Sequence, residues 1–208
     1  MAAKLRAGLS PACLGLHRRR GFTLVEAMVA ITILALAGSV LLLAVDSSLH
    51  TTTEAVDRTI ADGLAHQLLD EITCQRYMEP GESSEGALGP SGWELAGSGR
   101  ERFNDTDDYH NFTAQPAQGL WGEPLSTGDD DGGPRAPAFQ MPASYFNHWR
   151  QRVVVYYVDP SDPSVRLTSG TSPYRAIEVH IEKVADDGTV LPLARRKKVI
   201  AYVPPPTY

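Results

Sequence analysis

Cysteine is nearly absent from this 208-residue chain, and its two copies, Cys13 and Cys74, exclude a disulfide scaffold. There is no C-x-x-C pair, and the six histidines show no metal-ligand spacing, which argues against zinc and iron–sulfur centres. No apolar run precedes Ser10-Pro11-Ala12-Cys13, so that cysteine does not mark a lipoprotein. Proline is missing between Pro11 and Pro80, which leaves room for an unusually long helix. The chain also lacks G-x-S-x-G, the phosphate-binding P-loop, H-E-x-x-H and a dinucleotide fingerprint. His110 and His148 are isolated, and Cys74 lies two helical turns from His66. The expectation is a protein that is not an enzyme and carries no cofactor.

Acidic residues are absent from the first 21 positions, which hold Lys4, Arg6, Arg18, Arg19 and Arg20. The whole chain has 19 Lys and Arg against 25 Asp and Glu, a net charge of −6. Setting the five basic residues aside leaves 14 against 25, a net of −11 for residues 22–208. An acidic body of this kind disfavours non-specific nucleic-acid binding, so no nucleic-acid partner is expected. At 42% hydrophobic residues the chain is neither a polytopic membrane protein nor a disordered polymer.

Between the basic head and the acidic body, residues 22–45 read FTLVEAMVAITILALAGSVLLLAV, 24 residues with Glu26 as the sole charge. As a helix they would span about 36 Å, enough to cross a bilayer core of roughly 30 Å. Arg18, Arg19 and Arg20 immediately before the run predict a cytoplasmic N-terminus and an exported body. The run exceeds a signal-peptide core, and no A-x-A-like site follows it. A carboxylate inside hydrocarbon costs roughly 2.5–3.5 kcal/mol on insertion scales, so Glu26 is expected to have a partner and a task.

Arg20-Gly21-Phe22-Thr23-Leu24-Val25-Glu26 resembles the prepilin peptidase site of type IV pilins and type II secretion pseudopilins. The resemblance covers the basic leader, the Gly21–Phe22 junction, the apolar stretch and the glutamate. It implies cytoplasmic-side cleavage after Gly21 by a prepilin peptidase and N-methyltransferase, with methylation of Phe22. It also implies storage in the inner membrane, an inner-membrane assembly platform, and incorporation among other pilin or pseudopilin subunits. Glu26 would then pair with the amine of a neighbouring subunit and set axial register. The competing expectation is a signal-anchored exported domain with its own binding or enzymatic role.

Past Asp46, the residues Val56, Ile60, Ala61, Leu64, Ala65, Leu68, Leu69 and Ile72 fall on one helical face. Asp57, Arg58, Asp62, His66, Gln67, Asp70, Glu71 and Gln75 fill the remaining positions. The spacing predicts one helix over residues 22–77, its second half packing on a globular domain, with Gly38 and Gly63 as possible soft points. Residues 61–72 are similar to the corresponding helix of minor pilins and pseudopilins of the PilV/I-type group, and the large, irregular body favours a minor component. Residues 80–142 hold 11 of 18 glycines and 7 of 15 prolines, so loops are expected, pinned to the core by Trp93, Phe103, Tyr109, Phe112, Trp121 and Phe139.

Residues 103–110 resemble an acidic stretch of some mannose-sensitive-haemagglutinin-type minor pilins. Asp105, Asp107 and Asp108 are candidate calcium ligands there, with an Asx-rich turn as the favoured alternative. Asp129, Asp130 and Asp131 read as a solvated tip. Period-two alternation then predicts strands over residues 152–158, 174–184, 189–193 and 196–203, with Ile177, Val179 and Ile181 on one face and Glu178, His180 and Glu182 on the other. Arg195-Arg196-Lys197-Lys198 reads as a charged strand edge. The expected fold is α+β and pilin-like, a long N-terminal helix packed on a C-terminal antiparallel sheet. The expected divisions are a leader (1–21), a membrane-spanning helix half (22–45), an amphipathic half (46–78), a Gly/Pro-rich region (79–150) and the sheet (151–208).

Overall fold

The computed structural model describes residues 21–204 apart from residues 130 and 132. The leader arginines Arg18, Arg19 and Arg20, together with Cys13, Asp130 and the final prolines Pro205 and Pro206, lie outside the described residues. The chain divides into two compact units, residues 1–51 and 52–208.

Helix α1 runs over Leu24–Cys74. It passes through Gly38 and Gly63 without interruption, and nothing lies within 4 Å of the side-chain position at either glycine. In the first unit its apolar side chains are exposed all round, from Leu24 at 78% to Leu43 at 69%. A helix apolar on every side finds no aqueous core to bury against. Thr32 donates to the Val29 carbonyl and Ser39 to the Leu36 carbonyl, both at 2.8 Å. The hydroxyls are thus satisfied within the helix, as a hydrocarbon environment demands.

In the second unit α1 buries Ala61, Ala65, Leu68, Leu69 and Ile72. They meet the inward residues of an antiparallel sheet in the order β1 (Thr113–Ala114), β2 (Trp149–Tyr157), β3 (Tyr174–Val184) and β4 (Val190–Ala201). Val153 and Val155 of β2, and Ile177, Val179 and Ile181 of β3, are fully buried, so alternation along both strands turns one face to the helix. Each such aliphatic side chain contributes roughly 1.5–3 kcal/mol of burial. Trp149, stacked 5.8 Å from Tyr145 and edge-on to Phe146 at 5.2 Å, closes one end of this core. The expected α+β layout of helix and antiparallel sheet is therefore what the chain forms.

Several boundaries differ from expectation for definable reasons. The helix stops at Cys74, not at residue 77, because the carbonyls beyond it have tertiary donors. The Arg76 carbonyl accepts from the Thr106 amide at 2.9 Å. The Tyr77 carbonyl accepts from Arg175 at 2.6 Å and Thr106 at 3.0 Å. Asp57, expected on the solvent side, is buried, because Tyr145 donates to it at 2.7 Å and Lys183 pairs with it. Val56, expected on the packed face, is half exposed.

The two C-terminal strands expected over 189–193 and 196–203 are one strand, β4, with a bulge at Leu193: Ile181 faces Ala194 and Glu182 faces Pro192. Pro192 is tolerated because β4 is an edge strand. The region 80–142 is mainly turns, as expected, but it also supplies β1, which pairs with Gln151 and Arg152. Its aromatics split. Phe103 and Tyr109 are buried and edge-packed at 5.0 Å, whereas Trp93, Trp121 and Phe139 are exposed. Around Trp93 the chain buries Glu94 instead, leaving the indole outside under the Arg102 guanidinium at 5.2 Å.

Candidate functional site

The N-terminal segment is built by the residues that start α1. Gly21, Phe22 and Thr23 precede the helix, and among the described residues no atom lies within 4 Å of where a Gly21 side chain would be. Phe22 is 70% exposed. The junction between them is therefore an accessible peptide placed just before a helix, where a protease can reach it. The Thr23 hydroxyl accepts the Glu26 amide at 3.2 Å, and the Ala27 amide bonds to the Thr23 carbonyl at 3.1 Å. Thr23 is thus the N-cap, and Thr23-x-x-Glu26 has the spacing of a capping box. Glu26 sits in the first turn, where the helix dipole favours negative charge. The capping signal was present in the sequence but masked by the apolar run around it. The exposed Glu26 carboxylate stays available to a positive partner.

The acidic stretch at 105–108 is buried, not solvated. Asp105 accepts the amides of Asp107 (2.9 Å) and Asp108 (3.3 Å), which is an Asx turn. Asp108 accepts the amides of Asn104 (2.8 Å) and Asp105 (3.2 Å). The three aspartates do not share one ligand cluster. Oxygens of Asp105 and Asp107 lie within 4.8 Å of each other and of the exposed Glu82, while Asp108 turns toward its own amides. Burial pushes the Asp105 carboxyl up to about 7, reinforced by its hydrogen bond to Asp107 and by the Asp107 charge. Burial likewise raises Asp108 to about 6, against the pull of its two amide donors.

Arg175, 1% exposed on β3, supplies the cation at this cluster. It donates to Asp107 at 2.8 Å, to the Tyr77 carbonyl at 2.6 Å and to the Thr106 hydroxyl at 3.3 Å. Its guanidinium also lies 4.2 Å from the Tyr77 ring centroid. Burial works against the arginine's charge, but the Tyr157 hydroxyl and Asp107 outweigh it and hold the group firmly protonated. Sequence reading singled out the aspartates and missed Arg175, because residue 175 is 68 positions from Asp107 and looks like any other strand residue.

A groove of about 540 Å³ lies between α1 and the 118–146 loops. Ile60, Leu64, Leu125 and Met141 give it apolar walls. Glu71, the acid in its lining, is engaged by Arg100 at 2.8 Å and by the Tyr109 hydroxyl at 2.9 Å. The described lining holds no serine, cysteine or histidine that would form a nucleophile–base pair.

Comparison with known proteins gives one result that bears on these sites. Residues 16–42 match the model of the prokaryotic N-terminal methylation motif. No curated protein and no solved structure matches the chain. The match covers the basic residues before Gly21, the junction itself, Glu26 and most of the apolar helix, and from Phe22 onward the large apolar side chains of that stretch are exposed. The apolar helix and the motif together are those of a single-pass, membrane-anchored precursor processed by prepilin peptidase. That motif is the N-terminal signature of type IV pilin and pseudopilin precursors, and it supports placing the chain among them.

Proposed function

We propose that this protein is a structural subunit of a type IV pilus-like or type II secretion pseudopilus filament, held in the inner membrane with its N-terminus cytoplasmic until assembly. The reading is supported above all by one juxtaposition: an accessible Gly21–Phe22 junction sits one helical turn before Glu26, at the head of a helix with nothing around its apolar surface. Cleavage after Gly21 frees an α-amine on Phe22, and methylation keeps it basic. In a bundle of like helices, the Glu26 carboxylate of one subunit pairs with the Phe22 amine of the next. The pairing offsets the cost of a charge in hydrocarbon and fixes the axial step between subunits. Other subunits and the assembly platform are the partners, and no catalytic role is assigned to the body.

Two substitutions separate the steps. Co-expression with a prepilin peptidase is expected to shorten the chain by 21 residues, and Gly21→Glu to block this. Glu26→Leu is expected to leave cleavage intact while filament incorporation falls. An uncut wild-type chain would return the protein to the signal-anchored class. Unchanged incorporation of Glu26→Leu would remove Glu26 from the mechanism.

A further inference from the structure

We infer that the sheet face turned away from α1 is a cationic docking surface for the acidic 79–85 loop of a second copy of this chain. The inference rests on the filament-subunit reading. Strand register places Arg152, His180 and Arg195 in one row across this face, Val154, Glu178 and Lys197 in the next, and Arg150 beside Glu182. Arg166 and Lys197 both lie over the Tyr156 ring, at 4.6 and 5.5 Å. Glu182 is bonded by Arg150 at 2.6 Å and contacted by Arg152 at 3.4 Å, and Glu178 is held by Arg195. Five cations against two carboxylates leave the face at +3. The other 9 bases and 23 acids of residues 22–208 sum to −14. Asp162, whose carboxyl is held low mainly by Ser164, also feels Lys197 and trims the excess without removing it.

A positive face on so negative a body selects an acidic partner by orientation and exclusion more than by affinity. The chain itself carries that partner surface. Glu79, Glu82 and Glu85 are exposed on one short loop, and among the described residues none of them has an arginine, lysine or histidine within ion-pair distance. The loop is anchored near the start of β3, where Glu85 accepts from Thr171 at 3.1 Å and the Ser84 carbonyl lies 3.5 Å from Arg175. Lys197, opposite Glu178, is three residues further along β3 than Arg175, about 10 Å away, and on the other face of the sheet; the Arg152–His180–Arg195 row is five residues along, about 17 Å away. Patch and complement therefore occupy different places on one subunit. Such a pair joins copies head to tail, a heterologous contact that repeats as an open array and does not close as a dimer.

The test is zero-length carbodiimide coupling of the full-length chain in membranes. Nitrogen-14 and nitrogen-15 chains are made in separate cultures with prepilin peptidase, mixed in equal amounts in detergent and reconstituted into one set of vesicles before coupling, and the linked peptides are read by mass spectrometry. A mixed-isotope link from Lys197 to Glu79, Glu82 or Glu85 is expected, reduced at least tenfold when salt rises from 0.1 M to 1 M, because the screening length falls from about 10 to about 3 Å. Glu79→Lys/Glu82→Lys/Glu85→Lys is expected to abolish the link, and adding Lys197→Glu to restore it in reverse. Links confined to one isotope, links from Lys197 only to other proteins, or a swap that restores nothing would overturn the inference. Removal of the 21-residue leader in every variant shows that the processing reading stands independently; its failure in wild type would instead sink that reading.

Discussion

Buried acids at 105–108 give the body an unusual pH dependence. An ordinary carboxylate ionises near 3.8, whereas Asp105 in the folded chain does so at about 7. Between those values the folded state holds a proton that the unfolded state has released. Stability therefore rises as pH falls through this window and is lost as pH climbs through the folded value. At ~1.4 kcal/mol per pH unit the ceiling is roughly 4 kcal/mol. Glu82, whose carboxylate lies within 4.8 Å of Asp105 and Asp107, is exposed, and Asp105 shares its proton with Asp107, so about 1–2 kcal/mol is the expectation. Asp108, raised to about 6, acts in the same direction. Asp105→Asn keeps an oxygen for the Asp107 and Asp108 amides and offers the Asp107 carboxylate a permanent donor. This variant should be more stable than wild type by about 1–2 kcal/mol at pH 8 and nearly equal to it at pH 5. Urea unfolding of the detergent-solubilised chain, followed by near-ultraviolet circular dichroism at pH 5, 6, 7 and 8, measures both quantities. A wild-type stability that rises from pH 5 to pH 8, or an Asp105→Asn chain with the same pH slope as wild type, would refute the reasoning.

Other perturbations test separate parts of the construction. Arg175→Met leaves Asp107 without its buried partner and removes one of the two donors to the Tyr77 carbonyl, so a loss of about 3–5 kcal/mol is expected by urea unfolding. Ile72→Ala, at a fully buried helix position, should cost about 2–5 kcal/mol by the same measurement, while Leu42→Ala in the exposed apolar helix should leave the unfolding of the body unchanged. Gly122 has φ of +79°, and a side chain there would lie 2.4 Å from the Ser98 carbonyl; Gly122→Ala should destabilise the body by about 1–3 kcal/mol and deprotect the Arg100 amide in hydrogen exchange. Thr23→Ala removes the cap of α1 and should lower protection of the Glu26 amide by a factor corresponding to about 1 kcal/mol, with cleavage after Gly21 retained.

The amino-acid sequence by itself determined the parts that depend on neighbours along the chain. A largely apolar run of 24 residues whose sole charge is Glu26, and a glycine after three arginines, specify processing and membrane insertion without reference to the body. Helical and two-residue periodicity likewise specify which aliphatic sides of α1, β2 and β3 meet in the core, because both repeats are fixed by backbone geometry. Tertiary structure decided what depends on residues far apart in the chain. Asp57 has the spacing of a surface residue and is buried because Tyr145 and Lys183, 88 and 126 positions away, converge on it. Pro192 looks like a strand breaker and is carried inside β4 because that strand is at the sheet's edge. Asp105 and Asp107 read as an Asx-rich turn or a calcium loop; the Asx turn forms, and the fold buries it as an acid cluster held by Arg175 on β3. Burial and pairing are set by the fold as a whole, so a carboxylate's charge state follows from its distant neighbours and not from its own segment.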